Sequence, residues 1–280
     1  MKKVFCVLLV AFFAFSGNTY ATSKKSNPLP ISFQIDVQNW NEVNKTLPKY
    51  SKFTVIDVES GKSFDVQRRA GNRHADVQPL TKKDTKIMKQ IYDGSWSWRR
   101  KAVLILTQDR LIPASMHGMP HGAGALKNDF PGHFCIHFSG STTHRTGKSD
   151  LSHHVMILKA AGKIDEYINA LPPSQLLNVF FVSIKNDDIG LAKKMAISNQ
   201  KNLKKELVKM DNIEAIQWSM PPINENKTTE LSTTIPVDVS IFIKDAGPIR
   251  TKLTFTLIRT SFLSPWKVNM DPLLSTISNS

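Results

Sequence analysis

Cys135 stands in Gly132-His133-Phe134-Cys135-Ile136-His137-Phe138, with a histidine two residues away on either side. The only other cysteine, Cys6, lies in an apolar N-terminal run that reads as a leader. Once that leader is removed, Cys135 has no intrachain disulfide partner, and its reactivity is the reason to expect it. All eight histidines, His74, His117, His121, His133, His137, His144, His153 and His154, fall within 81 residues, and the chain beyond them has none. A free thiol with a pKa of about 8.5 is only a few per cent thiolate at neutral pH, so nucleophilic catalysis needs a neighbouring base or positive group. Along an extended strand His133, Cys135 and His137 share one face, and Phe134 and Ile136 take the other, toward a core. His144, His153 and His154 read as surface or core-satisfied residues outside that constellation.

His117-Gly118, the fourteen residues 118–131 and then Gly132-His133-Phe134-Cys135-Ile136-His137 together resemble the active-site signature of L,D-transpeptidases of the YkuD type. That signature is a histidine, a comparable interval, Ser or Thr, His, Gly, Cys, a hydrophobic residue and Asn or Arg. The resemblance implies that Cys135 is the nucleophile, His117 the general base and His133 a support beside the oxyanion site. His137, His121, His74, Asp76 and Gly118 would then support these groups or bind substrate, and no cofactor or metal is required. The sequence departs from the signature at Gly132, Phe134 and His137, and a side chain at 134 alters the turn that presents an amide to an oxyanion. The implied reaction is acyl transfer on peptidoglycan stem peptides, with an amine acceptor giving a cross-link and water giving hydrolysis.

Two other readings use the same residues. His74-Ala75-Asp76 with His117, His121, His133, Cys135 or His137 could assemble a zinc site, since imidazole, carboxylate and thiolate are all zinc ligands. That combination would make an envelope hydrolase, although the chain has neither His-Glu-x-x-His nor Cys-x-x-Cys. Alternatively, the histidine-rich unit is a wall-binding protein without catalysis.

The elements that must position these residues follow from periodicity. Residues 31–37, 53–58 and 63–66 alternate apolar and polar, with a turn at 59–62, so a hairpin and a neighbouring strand are predicted. Residues 81–92 open with Thr81 and Asp84 and put Ile87, Met88 and Ile91 on one face, the pattern of a capped amphipathic helix. Residues 100–106 and 111–116 form a second hairpin around Asp109-Arg110, delivering His117 at its end, and the glycine-rich stretch 118–132 is a long loop. Residues 73–76 read as part of a loop before the helix. Trp96 and Trp98 read as one face of a strand. A helix over 150–171, broken at Gly162, ends at Leu171-Pro172-Pro173.

Beyond residue 171 the pattern changes to helices over 175–184 and 188–210, then alternating strands over 215–219, 232–243, 249–259 and 264–268. This order resembles NTF2-like domains. The expectation is a signal peptide over 1–21, a linker over 22–30, a mainly β, L,D-transpeptidase-like unit over 31–171 and an α+β, NTF2-like accessory unit over 172–280, with helices packed on a curved antiparallel sheet.

Lys2 and Lys3, an apolar run over 4–15 and Ala21 before Thr22 make the leader, which is too short to span a bilayer. A secreted or envelope-associated protein with no transmembrane segment in its mature chain is therefore expected. The formal charge of the whole chain is +14, which suits an anionic cell-wall polymer as a neighbour and leaves nucleic acid inaccessible outside the cell.

Overall fold

Apolar residues at every second position build the first half of the protein. The computed structural model describes residues 34–143, 147–201, 203–223 and 230–278. The leader and linker expected over residues 1–30 lie outside them, as do the first three residues of the strand expected over 31–37. Of that segment the described part makes only an isolated bridge, Ile35 to Leu111, before helix α1 (Trp40–Thr46).

Strands β1 (Lys52–Asp57) and β2 (Ser63–Ala70) form the expected hairpin, and β3 (Ala75–Pro79) follows directly. Helix α2 (Lys82–Ile91) starts on a reciprocal cap in which Thr81 N–H donates to Asp84 and Asp84 N–H donates to the Thr81 hydroxyl. The second hairpin is β4 (Arg100–Thr107) and β5 (Arg110–His117), and β6 (Phe134–His137) comes after the long loop. The six strands pair in the order β1-β2-β3-β6-β5-β4, and pairing of β1 with β4, from Thr54 opposite Leu106 to Asp57 opposite Val103, closes them into an antiparallel barrel.

The barrel interior holds Val55, Phe64, Val66, Ala75, Val77, Val103, Ile105, Ile112, Ala114, Met116, Phe134 and Ile136. Their neighbours on the same strands, Asp76, Gln78, Ser115, His117, Cys135 and His137, therefore lie on the outer face of β3, β5 and β6, and His74 immediately precedes β3. That outer face is where the chemistry is.

The chain continues as α3 (Leu151–Ala160), α4 (Ile164–Ala170), α5 (Pro173–Lys185) and α6 (Ile189–Met195). After β7 (Ala196–Ile197) and α7 (Leu203–Lys209) come β8 (Ile213–Ser219), β9 (Ser232–Ile243), β10 (Gly247–Ile258), β11 (Lys267–Asn269) and α8 (Asp271–Ser278). The helix expected over 188–210 is thus interrupted by a strand at 196–197.

The expected fold class is corrected in two respects. The first unit is a closed barrel, because β1 and β4 pair edge to edge. The second sheet, ordered β7-β11-β10-β9-β8, is mixed rather than antiparallel, because β7 runs parallel to β11. Helix α3, which the expectation placed with the first unit, packs on β4 and β5 of the barrel and also on α5.

Phe180 is fully buried on α5, edge-on to Phe181 and Phe255. Phe180→Ala is expected to cost about 3–5 kcal/mol through lost burial and the cavity left behind, read as a lower midpoint in denaturant unfolding. An unchanged midpoint would show that this cluster does not hold the second sheet to its helices. Among the described residues no helix is long and apolar enough to cross a membrane.

Candidate metal centre

Register sets the first contacts. Asp76 pairs with Cys135 across β3 and β6, and Ser115 pairs with His137 across β5 and β6. Side chains of paired residues project on the same side, so the outer face gathers Asp76, Cys135, His137 and Ser115 in one patch, with His74 and His117 at the strand ends. The loop 118–132 then folds over the patch. A reciprocal pair of backbone bonds between His121 and His133, each 2.9 Å, fixes it there. Gln78 anchors the same loop, donating to the Gly132 carbonyl at 2.8 Å and accepting from the Ala125 and Leu126 amides.

Cys135 is the centre of the cluster. Its Sγ lies 3.3 Å from His121 Nε2 and 3.6 Å from Asp76 Oδ1. Asp76 Oδ1 in turn lies 3.2 Å from His74 Nε2 and 4.0 Å from His133 Nε2. Three sets of donors have all their ligand atoms within 4.8 Å of one another: His74, Cys135 and His137; His117, His121 and Cys135; Asp76, His133 and Cys135.

The imidazoles are held by their other nitrogens. His74 Nδ1 meets the Thr142 carbonyl at 2.7 Å, His121 Nδ1 the Met119 carbonyl at 3.1 Å and His133 Nδ1 the Ala123 carbonyl at 3.0 Å. A carbonyl oxygen only accepts, so each Nδ1 carries a hydrogen, and Nε2 is the ring atom that faces Cys135 or Asp76. Metal-binding histidines are oriented in this way, the outer N–H given to a backbone carbonyl and the inner nitrogen left for the ion.

No protein-family model matches the chain, and no curated protein matches it either. What the centre can do must therefore come from its own electrostatics. Cys135 is 2% exposed, and burial pushes its thiol far above the ordinary range, with the Asp76 carboxylate acting in the same direction through charge and hydrogen bond. Burial likewise holds His117 and His153 well below the usual histidine value, and the Arg100 charge lowers both further. A thiol facing a carboxylate in a buried pocket is a poor nucleophile as it stands. A cation in the same place reverses that balance, because it favours the thiolate and the deprotonated imidazoles together.

The structure brings together seven of the eight residues singled out from sequence: His74, Asp76, His117, His121, His133, Cys135 and His137. Gly118 is set apart from the donors. It packs against the Tyr92 ring, where a Cβ would come within 2.5 Å, and its N–H donates to Ser97, so it fixes the strand end carrying His117. His121 Nε2 lies 3.3 Å from the sulfur, where the family resemblance had implied His117 as the base.

Other contributors were not anticipated. His153 on α3 stacks on His137 at 3.7 Å, and its Nδ1 lies 2.9 Å from the Ser115 hydroxyl. Trp98 is half exposed over His117 and His121, at 4.7 and 5.5 Å between ring centres. Trp96, by contrast, packs edge-on to Phe130 against the barrel core. Reading 74–79 as a strand would have exposed the alternation His74, Asp76, Gln78 on one face. His154 lies outside the cluster, edge-on to Tyr167, and His144 lies outside the described residues.

Proposed function

We propose that this protein is a metal-dependent hydrolase of the cell envelope, acting on amide bonds of peptidoglycan stem peptides. The observation that supports it best is the orientation of His74, His121 and His133, whose Nδ1 hydrogens all go to backbone carbonyls. Their inner nitrogens meet a thiol and a carboxylate, a donor set that suits a borderline divalent ion such as zinc. Such an ion polarises a carbonyl and lowers the pKa of a water toward neutrality.

The protein's part is to present that chemistry to a substrate. His133 keeps 17% of its side chain exposed, and Asp76 lines an open cleft of about 490 Å³ together with Lys49, Asn72 and Arg73. Lys49 and Arg73 give the cleft lining positive charge, which suits stem-peptide carboxylates or anionic wall polymers. In the hydrolysis the water oxygen bonds to the amide carbon, the C–N bond breaks, and the leaving nitrogen takes a proton from that water.

Cysteine acyl transfer of L,D-transpeptidase type is the second reading, favoured by the 3.3 Å approach of His121 Nε2 to the sulfur. One experiment separates the two. The mature chain is dialysed, assayed for metal, and exposed to a carbapenem beside Cys135→Ala. The metal reading expects retained metal, loss of muropeptide hydrolysis on chelation and no covalent adduct. A metal-free protein that forms an adduct on wild type but not on Cys135→Ala would overturn it in favour of acyl transfer.

A further inference from the structure

We propose that the centre holds two metal ions that share the Cys135 thiolate. This rests on the metal-centre reading above and goes beyond it in number and arrangement. The three donor sets have the sulfur in common and no other member. A single four-coordinate ion takes four ligands, which would leave three of the seven donors facing a thiolate and a carboxylate with no cation between them. Two four-coordinate ions with one ligand in common take up to seven, the number the cluster provides.

Burial sorts the histidines into two groups around the sulfur. His74, His117 and His137 are 1%, 3% and 4% exposed, as buried as Cys135 itself. His117 Nδ1 is buried with no hydrogen-bond partner, a costly state for a ring nitrogen unless a cation completes it. The rings of His74, His137 and His153 form a continuous stack, 4.4 Å and 3.7 Å between centres. His74 and His137, which share a donor set with Cys135, make with it an inner position of the kind structural ions occupy, with the buried His117 as its fourth donor.

His121 and His133 reach solvent, their rings 4.4 Å apart, and Asp76 lines the cleft. Together with Cys135 they make the outer position, where a substrate can add as a further ligand. Paired ions in hydrolytic centres sit about 3.5–4 Å apart, a separation that a single bridging atom can span. The bridging thiolate explains why the sulfur stands at the common vertex of all three sets.

The test is the metal content of the full mature chain, loaded with zinc and freed of excess by gel filtration. Two ions per chain are expected. One ion per chain would overturn the two-ion centre while leaving the metal-dependent function standing, and none would overturn both. Cobalt titration followed by thiolate-to-cobalt absorption tests the shared sulfur: the band should grow through two equivalents, and saturation at one equivalent would overturn sharing. His74→Ala should drop the loaded protein to one ion with its circular dichroism unchanged. Retention of two ions in that variant would overturn the inner position.

Discussion

Removing metal from the protein with a chelator is expected to lower its thermal unfolding midpoint by about 8–16 °C. Ligand binding to the native state alone stabilises by about 4 kcal/mol when the free ligand is a thousand times its dissociation constant. A protein of this size gains about 2–4 °C for each kcal/mol. The size of the effect follows from where the donors sit. Asp76, His117 and Cys135 come from β3, β5 and β6, and His121 and His133 come from the two ends of the loop, so an ion ties three strands and the loop at one point. Without it, burial and the Asp76 carboxylate hold Cys135 as the thiol, whose contact with Asp76 joins only β3 and β6. Differential scanning fluorimetry with and without chelator, followed by return of zinc, makes the comparison. A midpoint that does not move would remove the metal centre as the basis of function.

How much of this was legible in the sequence varies by level. Local patterns read well: the Thr81 and Asp84 cap, both hairpins of the barrel and the break at Gly162 all follow from short-range chemistry. Closure of the barrel did not. It depends on β1 meeting β4, residues some fifty positions apart such as Thr54 and Leu106, and alternation within a strand says nothing of which edge it meets. The mixed second sheet was hidden for a related reason. β7 is two residues long, too short to leave a periodic trace inside a lysine-rich stretch that otherwise reads as helix.

At the site, period two put His133, Cys135 and His137 on one face, and the structure has the apolar partners Phe134 and Ile136 in the core. Asp76 and His74 belong to that same face through β3, yet Arg73-His74-Ala75-Asp76 looks like a loop because β3 is short and ends in proline. His153 could not have been assigned from spacing, since it arrives on a helix and meets His137 only through packing of α3 on β5. The long-range contacts, not the residue types, were the missing information.

Gly132→Ala is expected to lower metal affinity by at least 10–100-fold, although the substitution adds one methyl group and removes no ligand. Gly132 has φ +120°, and a Cβ there would lie 2.5 Å from the His121 carbonyl oxygen and 2.9 Å from that of Gly122. Both neighbours are backbone atoms that cannot turn aside. The strain of the conformation alone is of order 1–3 kcal/mol, and the overlap pushes residue 121 away from residue 133. That separation breaks the paired 2.9 Å bonds between His121 and His133 and disturbs the Gly132 carbonyl that accepts from Gln78. Ligand positioning by such outer contacts is worth about 10–100-fold in metal affinity. Gly61→Ala provides the control: its φ is +67°, nothing lies within 4 Å of the added carbon, and it sits in the β1–β2 turn away from the donors. Competition with a chromogenic chelator should find Gly61→Ala close to wild type and Gly132→Ala much weakened. Equal affinities in the two variants would mean that the loop does not position His121 and His133 for an ion, and the outer position would lose its support.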